Sequence, residues 1–594
     1  MMKPKLSLAT FVVLALATGR VCGETNLITG QVPSSTTWSG TNLVQGTVTI
    51  PSDVVVMIDP GTRMLMNTGA TLVVNGQLLA NGTTNEPIMF TRATTAARWN
   101  RIRFNRAQNS RLRFCIIEFA NSVGTHLDYY DNDCNTNTTP PARTYHEAIV
   151  ALATHLDIEG CVFRNLPDTG ASAEGDAIAI ISDDPQMPGP ASAHIWNCRF
   201  VSIGQGIHSR HSYLLVEHCV FSGKRGDNDD VDLYGESTPP PVIRFNTFLP
   251  GHEDKINPTR CSAIIYNNFL SGSDDHGIVL RDKGAPIVFN NFITNCTSAG
   301  ISVQNQCDAL IANNTIIGSQ RGVRFFDHFD RHNPPYCLFP GSGRALIVNC
   351  IIRNCTEPFV LTDSPDGHSY ADVSYCNVQG GQAASSVSAN STLVWGLGNF
   401  DADPHFTNGF RLTAGSPCID AGTNVSVVAA NFSLAITNDF DGVPRPLDGN
   451  GDGLARFDVG ASEFLLPSAD TNGDGIPDGW TWFYGLDPAS PEVANGNPDG
   501  DSQTTSAEWV ADTDPTNAAS FFKISLIMNG PPVAVQFQSS SNRLYTLFGS
   551  DKVADSFSSI LGAIDQPGTG QAHMLIDTNA PAAQKFYRVG VRLP

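Results

Sequence analysis

Two sets of oxygen-bearing side chains in this chain are spaced for cation chemistry. Behind Pro467, the run DTNGDGIPDGW sets Asp470, Asn472, Asp474 and Asp478 at the first, third, fifth and ninth places of a loop, with Gly475 at the sixth. Hard oxygen ligands at alternate places round a sharp turn are what calcium takes. A second run, NPDGDSQTTSAEW, offers Asn497, Asp499, Asp501 and, twelfth in the loop, Glu508. Ser502 stands where the turn glycine is expected, which counts against its affinity. Asp448, Asn450 and Asp452 form a sparser third set.

A separate patch mixes charges. Asp229, Asp230 and Asp232 lie in NDDVDLY with Tyr234; Lys255 and Asn257 lie in DKIN, His276 and Arg281 in HGIVLRDKG, and His208 one segment earlier. The common hydrolase and nucleotide motifs are missing: there is no G-x-S-x-G elbow, H-E-x-x-H helix or P-loop. The plainest reading of Asp230 and Lys255 is a stacked salt bridge, a contact worth little on a solvated surface.

What must position these residues is a repeat. The pattern apolar-x-x-[Cys/Asn]-x-apolar recurs with Cys115, Cys161, Cys198, Cys219, Asn246, Asn268, Asn291, Asn314, Cys350 and Cys376 in its fourth place. Successive spacings from Cys198 to Asn314 are 21, 27, 22, 23 and 23 residues, a solenoid period. One such coil cannot bury its apolar face alone, whereas coils stacked ~4.8 Å apart pair every strand and fill one core. Asparagines then stack in a hydrogen-bonded ladder, and the cysteines beside them act as small buried fillers, predicted to be reduced. Cys134, Cys261, Cys296, Cys307, Cys337, Cys355 and Cys418 lie off the ladder and stay open. Aligning the coils on Ile207, Val231, Ile256, Ile278, Ile301 and Val323 as inward residues predicts that Asp230, Asp232, Lys255, Asn257 and Arg281 face solvent.

The fold class this implies is all-β: a right-handed parallel solenoid followed by a calcium-loop segment and a small antiparallel β domain. Boundaries fall at 1–23 for a secretory signal peptide, with Lys3, Lys5 and an apolar run; 24–105 for capping coils; and 106–405 for the solenoid. A closing segment covers 406–466, the calcium loops 467–519 and the β domain 520–594. The net charge of -21 argues against a nucleic-acid partner, and no later apolar run is long enough to span a membrane.

Several stretches carry resemblances. VTIPSDVVVMIDPGTRMLMNTGATLVVNGQLLANGTTNEPIMFT resembles the opening coils of bacterial exported β-helix proteins, and FRLTAGSPCIDAG with DFDGVPRPLDGNGDGLARFDVGASEF resembles the segment that closes them. The two loops resemble thrombospondin-type-3 or dockerin-like calcium loops. NDDVDLY resembles the aspartate-rich calcium motif of β-helix pectate lyases, although Asn228 stands where a further aspartate belongs. That resemblance implies calcium on Asp229, Asp230 and Asp232, Lys255 as the base that removes a proton from a uronate, and Arg281 bracing substrate charge. His208, Tyr234, Asn257 and His276 would contact sugar. The function expected is a secreted protein that binds, and by calcium-assisted β-elimination cleaves, an acidic polysaccharide or envelope glycan. The same stretch also resembles β-helix regions of unassigned activity on surface proteins, which leaves a noncatalytic adhesion or envelope role as the alternative.

Overall fold

The structure, a computed structural model, describes residues 25–594 except 96–97, 108, 121–146, 167–176, 225–228, 252, 329–340, 408, 429–434, 467, 471, 489, 491–492 and 581–583. The signal-peptide segment, Cys134, Asn228 and Cys337 lie outside the described residues. By internal contacts the chain divides into two units, Met1–Tyr129 with Thr138–Val231, and Tyr130–Asn137 with Asp232–Pro594.

In the first unit short strands pair in parallel with the strand one coil later. The opening coils obey the same rule, with Thr25–Gln31 beside Thr41–Ile50. Further along, Ile149 lies beside Ile178 and Ile178 beside Ile207, so identical apolar side chains stack inward. Phe163, Phe200 and Phe221 stack nearly parallel at 5.0 and 4.5 Å, burying their flat faces against one another. Trp99 is wholly buried and its indole N–H donates to Glu118 O at 2.9 Å, satisfying the polar edge of a large apolar side chain.

The second unit repeats the design. Ile256, Ile278, Ile301, Val323 and Phe359 form one inward row. Between coils the backbone comes so close that glycine is required: a Cβ on Gly277 would lie 2.6 Å from Gly300 O. The polar ladder forms as expected. Asn246 Nδ2 donates to Asn268 Oδ1, Asn268 to Asn291 and Asn291 to Asn314, each at 3.0 Å, and all four are buried. The ladder then passes to sulfur, Asn314 N donating to Cys350 Sγ at 3.4 Å and Cys350 N to Cys376 Sγ at 3.2 Å. Cys115, Cys161, Cys198, Cys350 and Cys376 are buried thiols without disulfides, and burial pushes the Cys376 thiol well above its ordinary range.

Residue pairs explain the closing segment. The residue before each ladder position, Asn267, Asn290, Asn313 and Asn349, sits in the left-handed region with φ between 51° and 54°. Their amides hold the later chain: Asn267 Nδ2 donates to Asp439 O (2.9 Å), Asn290 to Asn438 O (2.7 Å), Asn313 to Asp458 O (3.1 Å) and Asn349 to Thr423 O (2.7 Å). The closing segment is thus bound along the flank of successive coils.

After it come two short helices, Asp478–Phe483 and Thr505–Ala511. The tail is antiparallel as expected, with Val533–Gln538 between Ile524–Met528 and Ala572–Asp577, and Leu544–Ser550 beside Phe586–Arg592. Val535, Phe537, Tyr545, Leu547 and Leu575 are its core. No helix among the described residues is long and apolar enough to cross a membrane.

Candidate functional site

The second loop converges most tightly. Carboxylate oxygens of Asp499, Asp501 and Glu508 lie within 4.8 Å of one another. One oxygen of each aspartate builds the turn: Asp499 Oδ1 accepts Asp501 N (3.1 Å) and Asp501 Oδ1 accepts Gln503 N (2.5 Å). Asp499 Oδ2, Asp501 Oδ2 and Glu508 Oε2 are buried with no hydrogen-bond partner. Glu508 is wholly buried in the helix Thr505–Ala511, and desolvation, then the charges of Asp499 and Asp501, push its carboxyl up to about 7. Three buried carboxylate oxygens, one from the buried Glu508 and one from each of the half-buried Asp499 and Asp501, face one another with no proton donor between them and fit a hard divalent cation. Asn497 Oδ1 accepts Gly500 N at 2.8 Å. The left-handed residue of this loop is Gly500, φ 76°, and Ser502 is not in the left-handed region.

The first loop is arranged differently. Asp470 accepts Asp474 N (3.0 Å) and Gly475 N (2.8 Å), and Asp474 accepts Ile476 N (2.9 Å) and Asn472 Nδ2 (3.1 Å). Asp478 is buried at the start of the helix Asp478–Phe483. Its carboxylates are thus engaged in holding the loop's own backbone, and they do not form a group of three within 4.8 Å among the described residues. In the sparser set, Arg456 pairs with Asp452 at 3.1 Å, and Asp448 accepts Gly451 N and Gly453 N, each at 2.7 Å.

The mixed patch departs from expectation. Asp229 and Asp230 belong to the first unit with His208; Asp232, Tyr234, Lys255, Asn257, His276 and Arg281 belong to the second. His208, Asp230, Asp232, Tyr234, Lys255, Asn257 and His276 are all at most 5% exposed, so four members of the predicted solvent-facing row are buried, and the fifth, Arg281, is half-buried. Strand alternation fixes which way a side chain points and leaves open whether that face meets water. Lys255 precedes Ile256, which is in register with Ile278; its N donates to His276 O (3.3 Å) and its Nζ to Leu249 O (3.1 Å). Arg281 Nε donates to Asn257 Oδ1 (2.8 Å) and Thr259 Oγ1 (3.1 Å), and Arg260 donates to the Tyr234 hydroxyl at 2.6 Å.

Two partners of His276 were not legible beforehand. His276 Nδ1 lies 3.1 Å from both Asp254 and Asp275, and its Nε2 3.3 Å from Ser298 Oγ. Burial lowers its pKa, but the two carboxylates outweigh that and raise it to about 9, which keeps an imidazolium between two aspartates. The sequence signal was the coil spacing, which brings Asp254 and Ser298 to the coils on either side of His276. Elsewhere a cavity of about 440 Å³ is lined by Ile317, Arg353, Asn354, Asp403, Phe406 and Phe410, the two rings edge to face at 6.0 Å.

With this geometry in place, residues 147–334 and 231–400 match the family model described as right handed beta helix region. The chain carries a right-handed parallel β-helix. No curated protein matches it. Among solved structures, a double mutant of a periplasmic alginate epimerase shares 12% identity over 60% of this chain and 76% of its own, TM-score 0.37. An alginate lyase complex shares 11% over 64% and 79%, TM-score 0.34, and a pectate lyase 12% over 70% and 89%, TM-score 0.28.

Proposed function

We propose that the chain is an exported calcium-binding β-helix protein that holds a polysaccharide without cleaving it. The observation that carries this is Glu508, wholly buried with an oxygen aimed at the same space as those of Asp499 and Asp501 and given no protein donor. Calcium would supply the compact positive charge these hard oxygens lack, with Asp499, Asp501 and Glu508 as ligands and Asn497 beside them. Elimination with Lys255 as base would need its amine to reach the sugar; Lys255 is 1% exposed and donates to Leu249 O, which favours the binding reading. The cavity beside Arg353 suits a sugar ring, with aromatic walls for its apolar face and Arg353, Asn354 and Asp403 for its hydroxyls.

Chromatography on immobilised uronate and neutral polysaccharides, with and without calcium, tests this reading. Retention without any rise in ultraviolet absorbance from unsaturated products is expected. Unsaturated product that disappears in Lys255→Arg, or no retention on any polymer, would overturn it.

A further inference from the structure

We infer that the calcium loop and the C-terminal β domain are thermodynamically coupled, with Arg543 as the positioning residue that joins them; this rests on calcium occupying the Asn497–Glu508 loop. Glu508 lies on the helix Thr505–Ala511, whose last carbonyls are held from the β domain. Arg543 Nε donates to Val510 O at 2.8 Å and its Nη2 to Trp509 O at 2.6 Å, while the guanidinium lies 5.0 Å over the Trp509 ring. The Arg543 side chain is 5% exposed and faces Asp512, the left-handed residue that ends the helix (φ 61°). A cation at a helix C-terminus satisfies carbonyls that have no intrahelical donor and offsets the negative end of the helix dipole.

A second strut leaves the loop from its other side. Gln503, whose N–H donates to Asp501 Oδ1, exchanges two hydrogen bonds with Phe522: Nε2 donates to Phe522 O at 3.2 Å and Oε1 accepts Phe522 N at 3.4 Å. Phe522 packs on Phe537 and Tyr545 at 5.5 and 5.8 Å, in the core of the β domain. An ion that draws Asp501 and Glu508 together therefore fixes both struts at once. By linkage the effect runs both ways: the docked domain preorganises the ligands, and the bound ion holds the domain docked.

Calorimetric titration of calcium into the full chain, wild type, Gln503→Ala, Arg543→Ala and Arg543→Lys, read beside amide exchange in Leu544–Ser550 and Phe586–Arg592, tests the coupling. Gln503→Ala and Arg543→Ala should each weaken calcium binding about 5- to 150-fold, the usual span of a coupling between sites, and shrink the calcium-induced protection by the same factor. Arg543→Lys, which keeps the charge and loses the fork, should fall between wild type and alanine. Gln503 has no place in the β-domain core, so that variant reports on coupling even where Arg543→Ala unfolds the domain. Wild-type affinity in both alanine variants overturns the coupling and leaves the ion site standing. No calcium heat in the wild type overturns the ion site itself.

Discussion

Asn291 lies at the centre of the polar ladder. Its Oδ1 accepts from Asn268 N (2.9 Å) and Asn268 Nδ2 (3.0 Å), while its own Nδ2 reaches Ile265 O, Phe289 O and Asn314 Oδ1 within 3.0 Å. In a fully buried stack each donor left without an acceptor costs about 1–3 kcal/mol. Asn291→Ala is expected to lower the unfolding free energy by at least that amount, because Asn268 N loses its acceptor while Asn268 Nδ2 keeps Ile243 O and Tyr266 O; denaturant titration reads the loss. Asn291→Cys should be milder, because Cys350 already accepts a backbone N–H at the same place in a later coil. The thiols are predicted to resist labelling in the folded protein and to react after denaturation without reductant; disulfides trapped under those conditions would contradict the ladder. The Asn/Cys period was legible in the sequence, since it depends only on chain length per coil. The second role, Asn267, Asn290, Asn313 and Asn349 as holders of later chain, is spelled Asn-Asn at the first three and Asn-Cys at the fourth, but had no partner until folding brought Thr423, Asn438, Asp439 and Asp458 beside them.

At the scale of elements, the closing segment folds around buried charge. Arg445 and Glu463 are essentially unexposed at 3.5 Å, and Arg445 Nη2 donates to Gly460 O at 3.0 Å. Asp458 accepts Asp420 N and Phe464 N at 2.7 and 2.6 Å; Asp439 accepts Asp441 N and Glu463 N at 2.8 and 2.7 Å. Desolvation nonetheless raises Asp439 to about 6, Asp458 to about 7 and Glu463 well above its ordinary range. An acid whose pKa is higher folded than unfolded stabilises the fold below its unfolded value near ~4 and loses that contribution as pH rises through the folded one. Amide exchange across 438–464, corrected for intrinsic rates, should therefore speed up between about pH 5 and 8, and Asp458→Asn should flatten the dependence. A flat wild-type profile would contradict it. Elements of this kind are poorly legible in sequence, where DFDGVPRPLDGNGDG reads as an acidic turn segment and burial is invisible.

Across the whole molecule, the solenoid was legible because its physics is local and repeated, while the chemistry was not. Alternation assigned directions to Asp230, Lys255 and Asn257, yet the exposure of their face depends on the rest of the chain. The two loops use their oxygens differently: Asp470 accepts Asp474 N and Gly475 N of its own turn, whereas Asp499 Oδ2, Asp501 Oδ2 and Glu508 Oε2 have no hydrogen-bond partner, a difference that sequence spacing does not carry. A net charge of -21 adds a general preference for cations, so high salt should weaken loose surface association with calcium and spare the buried site. Chelation is expected to lower the melting temperature of the C-terminal transition and leave that of the β-helix in place. The most direct test is calorimetric titration of calcium into the chain beside Glu508→Gln and Asp470→Asn. One tight site that vanishes in Glu508→Gln and survives in Asp470→Asn is the predicted result. Undiminished binding in Glu508→Gln would contradict the account.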